Sequence, residues 1–246
     1  MIDETRTVLR VSGAGTHDFL QDLVTNDLGG LQNGLVYAAL LSPQGKYLAD
    51  FLIVPDGADA VLIDVDHALA PALAQRLSMY KLRRKLTIEP TDRRVTRGTG
   101  TPPAGAFADP RDATLGWRGY DGQTGDTADW DAIHVAAVIP RSGIELGPDS
   151  YILEAGFERL NGVDFRKGCY VGQEVTARMK HKTTLRKGLA RVRVDGTAPV
   201  GSEIVAGGKP VGTLFSQSGG QGIAYLRFDR AGLDMEAGTA RVHYDG

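Results

Sequence analysis

A chain of 246 residues, 42% hydrophobic and 24% charged, has the composition of a folded globular protein, which excludes wholesale disorder and collagen-like structure. Its 28 Lys and Arg stand against 30 Asp and Glu, a formal net charge of −2, so no global field draws it to nucleic acid or membrane and any basic face is local. The length exceeds one typical domain and points to one large or two unequal domains.

The N-terminal "MIDETRTVLRVSG" is acidic and then strand-like, without the apolar run of a signal peptide or the Arg-rich composition of a transit peptide. No stretch approaches the roughly 20 apolar residues needed to span a bilayer. Cys169 is the sole cysteine, so no internal disulfide forms, which fits a reducing compartment; the expected setting is cytoplasmic.

"TVLRVSG" alternates and predicts a first strand. Ser12 to Thr16 then carry turn and N-cap chemistry ahead of a helix with Phe19, Leu20 and Leu23 on one face. From Leu35 to Val65, three apolar runs separated by "SPQG" and "PDG" predict an antiparallel meander, because proline presets φ and glycine accepts positive φ. Asp66 is placed to cap a helix over "HALAPALAQRLSMYKL", with Pro71 tolerable only in its first turns, and "RRKLTIEP" returns as a strand. "RGTGTPPAG" and "GWRGYDGQTGD" read as irregular stretches before a helix near Ala128 to Val138. Beyond Leu185, short alternating strands divided by glycines predict a C-terminal all-β module, giving domains over 1–184 and 185–246.

The chemistry concentrates in "RKGCYVGQEV", residues 166–175. Cys169 precedes a predicted helix start, whose backbone N–H groups carry partial positive charge, and follows Arg166 and Lys167. Such surroundings suit a nucleophile or a soft-metal ligand, whereas a lone cysteine is also commonly a small buried hydrophobe. Gly168 and Gly172 allow close backbone approach. Gln173 and Glu174 offer an amide and a carboxylate that match the edge of a pterin, or that simply compensate the helix dipole. The five histidines, His17, His67, His134, His181 and His243, show no paired zinc-ligand spacing, so no metal site is assigned.

Arg178, Lys180, His181, Lys182, Arg186 and Lys187 form the sharpest local charge feature. It fits a receiver for a polyglutamate tail, an RNA backbone or an acidic partner, and equally a solvated linker. "KLRRK" at 81–85 is a second basic run, read as solvated because no aromatic neighbours accompany it. "SGAGTH" lacks both the P-loop lysine and the dinucleotide spacing.

"KGCYVGQE", with "NGVDF" before it and "VTAR" after, resembles the signature of the YgfZ/GcvT family of folate-binding proteins. The likeness continues through "FLQDLVTNDL", "LLSPQGKYLADF", "YKLRRKL", "IPRSGIEL", and the C-terminal "GTLFSQ" and "AYLRF", so it spans nearly the whole chain. The resemblance implies an α+β, aminomethyltransferase-like fold: two packed α/β subdomains around a central folate-sized opening, followed by a small C-terminal β-barrel. It further implies a tetrahydrofolate-binding accessory protein for assembly or repair of iron–sulfur clusters in four-iron, four-sulfur enzymes, a tRNA-thiolating radical enzyme among them. Cys169 matches the family's key residue. Asn26, Asp50, Arg141, Glu154, Lys167, Tyr170, Gln173, Glu174 and Arg178 match its folate-facing positions. Arg141 replaces a carboxylate of many relatives, and Arg6 and Val135 stand where some members carry tryptophan.

The expected cofactor is tetrahydrofolate, with a transient iron–sulfur cluster as cargo. The expected partners are iron–sulfur assembly proteins and client enzymes, with no nucleic acid or membrane, for a monomer. Two alternatives stay open. One is a folate-dependent aminomethyl transferase, for which Asp64 and Asp66 are the available carboxylates; the other is a noncatalytic scaffold that docks acidic partners through residues 178–187.

Overall fold

The computed structural model describes residues 2–182 and 184–246; Thr183 and the side chain of Lys182, both within the basic run, lie outside that description. The backbone forms two compact units that are each discontinuous in sequence, Met1–Ala128 with Glu158–Val175, and Asp129–Phe157 with Thr176–Gly246.

In the first unit the chain runs β1 (Arg6–Ser12), α1 (Thr16–Gln21), a 3-10 segment (Leu28–Asn33), β2 (Val36–Leu41), β3 (Tyr47–Pro55), β4 (Ala60–Asp66), α2 (Ala70–Tyr80) and β5 (Thr87–Pro90). The strands make one antiparallel sheet in the order β2-β3-β4-β1-β5. The expected meander is therefore present, with β1 inserted beside β4. β2 is buried along its whole length and β4 at all but its last residue, as continuous apolar runs require. Val11, Phe19, Leu20, Phe51, Ile63, Leu73 and Leu77 belong to its core.

Helix starts depart from expectation in detail. Gly15, at φ 81°, is the N-cap residue of α1 and makes no side-chain cap bond, while Thr16 Oγ1 donates to Gly13 O at 2.7 Å. Asp66 accepts from Ala68 N at 2.9 Å in the turn before α2, and the helix begins later, at Ala70. Pro71 lies in its first turn, where no intrahelical partner is lost.

The irregular stretches predicted around residues 97–126 hold a small antiparallel sheet of β6 (Thr96–Gly98), β7 (Phe107–Ala108) and β8 (Trp117–Gly119). Strands of two or three residues are too short to show a period. Their glycines also read as loop markers. A Cβ on Gly98 would lie 2.5 Å from the Trp117 ring, so glycine is the strand residue that lets the indole lie flat.

The second unit carries α3 (Trp130–Ala137), capped by Asp129 accepting from Ala132 N at 2.9 Å, and most of α4 (Gln173–Lys182). It continues through β9 (Lys187–Asp195), β10 (Ser202–Ala206), β11 (Lys209–Ser218), β12 (Gln221–Arg227), β13 (Met235–Ala237) and β14 (Ala240–His243). These six strands form a closed barrel, β10-β11-β12-β9-β14-β13, shut by the Val205–Glu236 pair. Val192, Val194, Ile204, Leu214, Leu226 and Val242 fill it.

Candidate functional site around Cys169

Two glycine turns interlock beneath Cys169. Gly172 has φ 83°, and a Cβ there would lie 2.6 Å from Ser42 O and 3.1 Å from Gly45 Cα. Gly45, at φ 73°, would place its own Cβ 2.8 Å from Val175 Cβ. The "SPQG" turn is itself closed by Gly45 N donating to Ser42 O at 2.8 Å. The two motifs thus need each other's missing side chain. Gly172→Ala is expected to destabilise the protein by about 3 kcal/mol, from left-handed strain plus overpacking. Urea unfolding measures it, and an unchanged midpoint would refute the interlock.

The other flank of Cys169 is stapled. Lys167 Nζ donates to Gln21 O at 2.6 Å and to Val24 O, at the end of α1, and lies 5.2 Å from the Tyr170 ring centroid. Burial pulls the Lys167 amine down to about 8, although Asp27, Asp22 and Asp164 oppose the shift. Asp164 N donates to Thr25 O at 3.0 Å and Thr25 Oγ1 to Gly162 O at 2.7 Å, suturing the same two segments. Tyr170 N donates to Gln173 Oε1 at 3.0 Å, a side chain reaching back from the first residue of α4. Lys167, Tyr170 and Gln173, which the resemblance places at a ligand, also make the contacts that hold this loop. Cys169 itself is a free, exposed thiol, and Glu174, Arg178, Lys180 and His181 are exposed on α4.

Asn26 donates to Tyr37 O at 2.9 Å and to Asn161 O at 2.7 Å. Asp50 is buried and accepts from Tyr37 Oη at 2.9 Å and Tyr47 Oη at 2.6 Å. From Tyr37 a chain of buried charge runs through the unit. The Arg111 guanidinium lies 5.4 Å from the Tyr37 ring centroid, and Arg111 pairs with Asp109 at 2.7 Å. Asp109 also binds Arg118 at 2.9 Å. Arg118 in turn reaches Asp64 at 2.9 Å, and Asp64 accepts from Tyr120 Oη at 2.9 Å and Arg6 Nε at 2.6 Å. Burial works against the charge on Asp109, yet Arg111 and Arg118 hold its carboxyl well below the usual range. Burial likewise opposes the Arg118 charge, and Asp64 and Asp109 raise it nonetheless. Burial and the Asp50 carboxylate push the Tyr37 phenol well up.

The sequence names Arg6, Asp50 and Asp64 but not the network they belong to, because the residues that link them, Asp109, Arg111, Arg118 and Tyr120, sit in short strands and turns read as irregular. Interleaving of Arg and Asp with Trp117 and Tyr120 was the available signal. Asp64, a carboxylate the transferase alternative requires, is 0% exposed and bound by two guanidiniums and a phenol. Asp66 is held in its turn.

In the second unit, a cavity of about 410 Å³ is lined by Glu145, Asp149, Tyr151, Glu154, Phe215 and Tyr225, among others. Tyr225 Oη donates to Glu154 Oε2 at 2.7 Å, and burial together with that carboxylate pushes the phenol up. Glu145 accepts from Arg141 N at 2.9 Å and from Ser216 Oγ at 2.5 Å. Arg141 does not line the cavity: its guanidinium binds Asp131 at 2.6 Å and Ser216 Oγ at 2.8 Å. Glu154 is therefore the one member of the expected set that lines this cavity.

Residues 186–245 match the family model described as the CAF17 C-terminal β-barrel domain. The glycine cleavage system aminomethyltransferase T from Bartonella henselae is similar with a TM-score of 0.77, over 98% of this chain and 82% of its own, at 12% identity. That likeness shows the fold, which is aminomethyltransferase-like with a C-terminal barrel, as the resemblance implied. The mitochondrial iron–sulfur cluster assembly factor IBA57 of Mus musculus is 32% identical, over 90% of this chain and 75% of its own. Its counterpart in Homo sapiens matches at the same identity and coverage. The chain belongs to the IBA57 family of iron–sulfur cluster assembly factors.

The IBA57 names correct one expectation. The matched IBA57 proteins are named as mitochondrial, including a homologue in Mycosarcoma maydis that is 33% identical over 80% of this chain, which overturns the cytoplasmic assignment. A single cysteine reports redox poise, and more than one compartment is reducing.

Proposed function

We propose that this IBA57-family chain assists assembly or repair of clusters in four-iron, four-sulfur enzymes, with Cys169 handling sulfur or cluster and tetrahydrofolate as its small-molecule ligand. The observation that carries the reading is an exposed, free thiol on a loop fixed at both ends, by Lys167 and by the Gly45–Gly172 interlock, in a chain of this family. A soft sulfur presented in this way can exchange a cluster with a partner without unfolding of its support. The partners in this reading are assembly proteins and client enzymes, and the protein acts as a monomer, with the 185–246 barrel following a 1–184 core.

The folate half rests on the second-unit cavity. A pterin presents N–H donors along its edge and flat apolar faces. Asp149 and the free oxygen of Glu154 suit the donors, and Tyr151, Phe215 and Tyr225 suit the faces. The volume, about 410 Å³, falls inside the roughly 300–1,000 Å³ of ligand pockets. Tetrahydrofolate, when bound, supplies one-carbon chemistry. Residues of this chain bind and orient it. Calorimetric titration of the wild-type protein should show binding, and Glu154→Gln should weaken it about tenfold or more through the lost charged acceptor. Equal affinity in the two proteins removes Glu154 from the site, and no binding to either removes folate from the function.

A further inference from the structure

The solvent face of α2 and the turn after it form an unpartnered surface. Pro71, Ala72, Gln75, Ser78 and Met79 are exposed there, and the half-exposed Arg76, one turn from Ala72 and Met79, is the charged side chain at the edge of that face among the described residues. Met79 is 59% exposed, and Leu82, three residues on, is 85% exposed, the most of any large hydrophobic among the described residues. Leu82 also has φ 49°, a left-handed conformation that asparagine and glycine adopt more readily than leucine.

Fraying does not account for this exposure, because the turn is firmly built. Lys81 Nζ donates to Leu86 O at 2.7 Å, and Arg84 N to Lys81 O at 2.8 Å. Arg84 pairs with Asp22 at 3.1 Å and lies over the Phe19 ring. Gly13 admits the turn's backbone where a Cβ would fall 2.4 Å from Lys85 O. Beside Leu82, Arg83 and Lys85 are exposed and form no hydrogen bond or ion pair with the described residues. A strained, rigidly presented leucine next to a second apolar side chain, small and polar residues of α2 and the cations Arg76, Arg83 and Lys85 has the makeup of a docking surface.

We propose that this surface docks an acidic amphipathic segment of a partner protein, whose apolar face packs on Leu82 and Met79 and whose carboxylates meet Arg83 and Lys85. The charges fix the sign of the partner. Gln75 and Ser78 on the adjoining face favour a protein site over acyl chains, since an interfacial membrane helix pairs a broad apolar face with cations. The proposal stands apart from Cys169 and folate, and its failure would leave both untouched.

The test uses a fluorescein-labelled acidic amphipathic peptide of leucine and glutamate, followed by anisotropy, alongside sedimentation with vesicles containing phosphatidylglycerol. The wild-type protein is expected to bind the peptide, less tightly as salt rises. Leu82→Asn should weaken binding about tenfold, yet raise the melting temperature, because asparagine tolerates the left-handed backbone. Arg83→Glu with Lys85→Glu should weaken binding comparably. Wild-type affinity in Leu82→Asn, a lowered melting temperature in that variant, no peptide binding, or sedimentation with vesicles in place of peptide binding each overturns the proposal.

Discussion

Cys169→Ala is expected to fold and melt like the wild-type protein while four-iron enzyme activity in cells that depend on it falls to the level of a deletion. The two halves of that result have separate causes. The sulfur is exposed, and the contacts that hold its loop are made by Lys167, Tyr170, Gly172 and Gln173. Removing it therefore leaves the support intact. Immunoblotting checks protein level and an assay of a four-iron dehydratase checks function. Lowered abundance would mean that the thiol is structural, and full activity would mean that it is idle.

Arg118→Met should lower stability by about 3 kcal/mol, because breaking a buried ionic network leaves its partners undercompensated. Arg118 is 4% exposed and bridges Asp64 and Asp109, so the loss reaches both carboxylates, although Arg6 and Arg111 each retain one. For a chain of this size the melting temperature should drop by roughly 6–12 °C, and calorimetry measures it. The same network sets the acid limit. Asp109 is held low by Arg111 and Arg118, against the effect of burial; Asp3, against the same effect, is lowered by Arg97. Carboxyls with depressed folded values add stability that is whole above their unfolded value, about 3.9, and is lost as pH falls from there through the folded values. Melting temperature should accordingly hold from pH 7 to about 5 and fall steeply below about 4, less steeply in Asp109→Asn.

Legibility in the sequence followed length and period. Long alternating or continuous apolar runs such as Val36–Leu41, Tyr47–Pro55 and Ala60–Asp66 declared a meander, and glycine-divided strands after Leu185 declared an all-β end. Two-residue and three-residue strands around Trp117 could not, because the glycines that fit beneath an indole are the residues that otherwise mark loops. At the site, the sequence located the cysteine motif but not the division of labour inside it. Lysine, glutamine and glycine near a thiol suggest ligand contacts, and only coordinates show Lys167 turned to the carbonyls of Gln21 and Val24 and Gly172 seated against Ser42. Arg141 tells the same story, since its partners Asp131 and Ser216 lie 10 and 75 residues away in the chain.

Intact-mass spectrometry of iodoacetamide labelling tests the role of Cys169 most directly. The free protein should take up one label rapidly, since its single thiol is exposed. Mixed with a carrier protein loaded with a two-iron, two-sulfur cluster, it should be protected from labelling, and protection should vanish with the apo carrier. Labelling at the same rate in all three conditions would contradict the account.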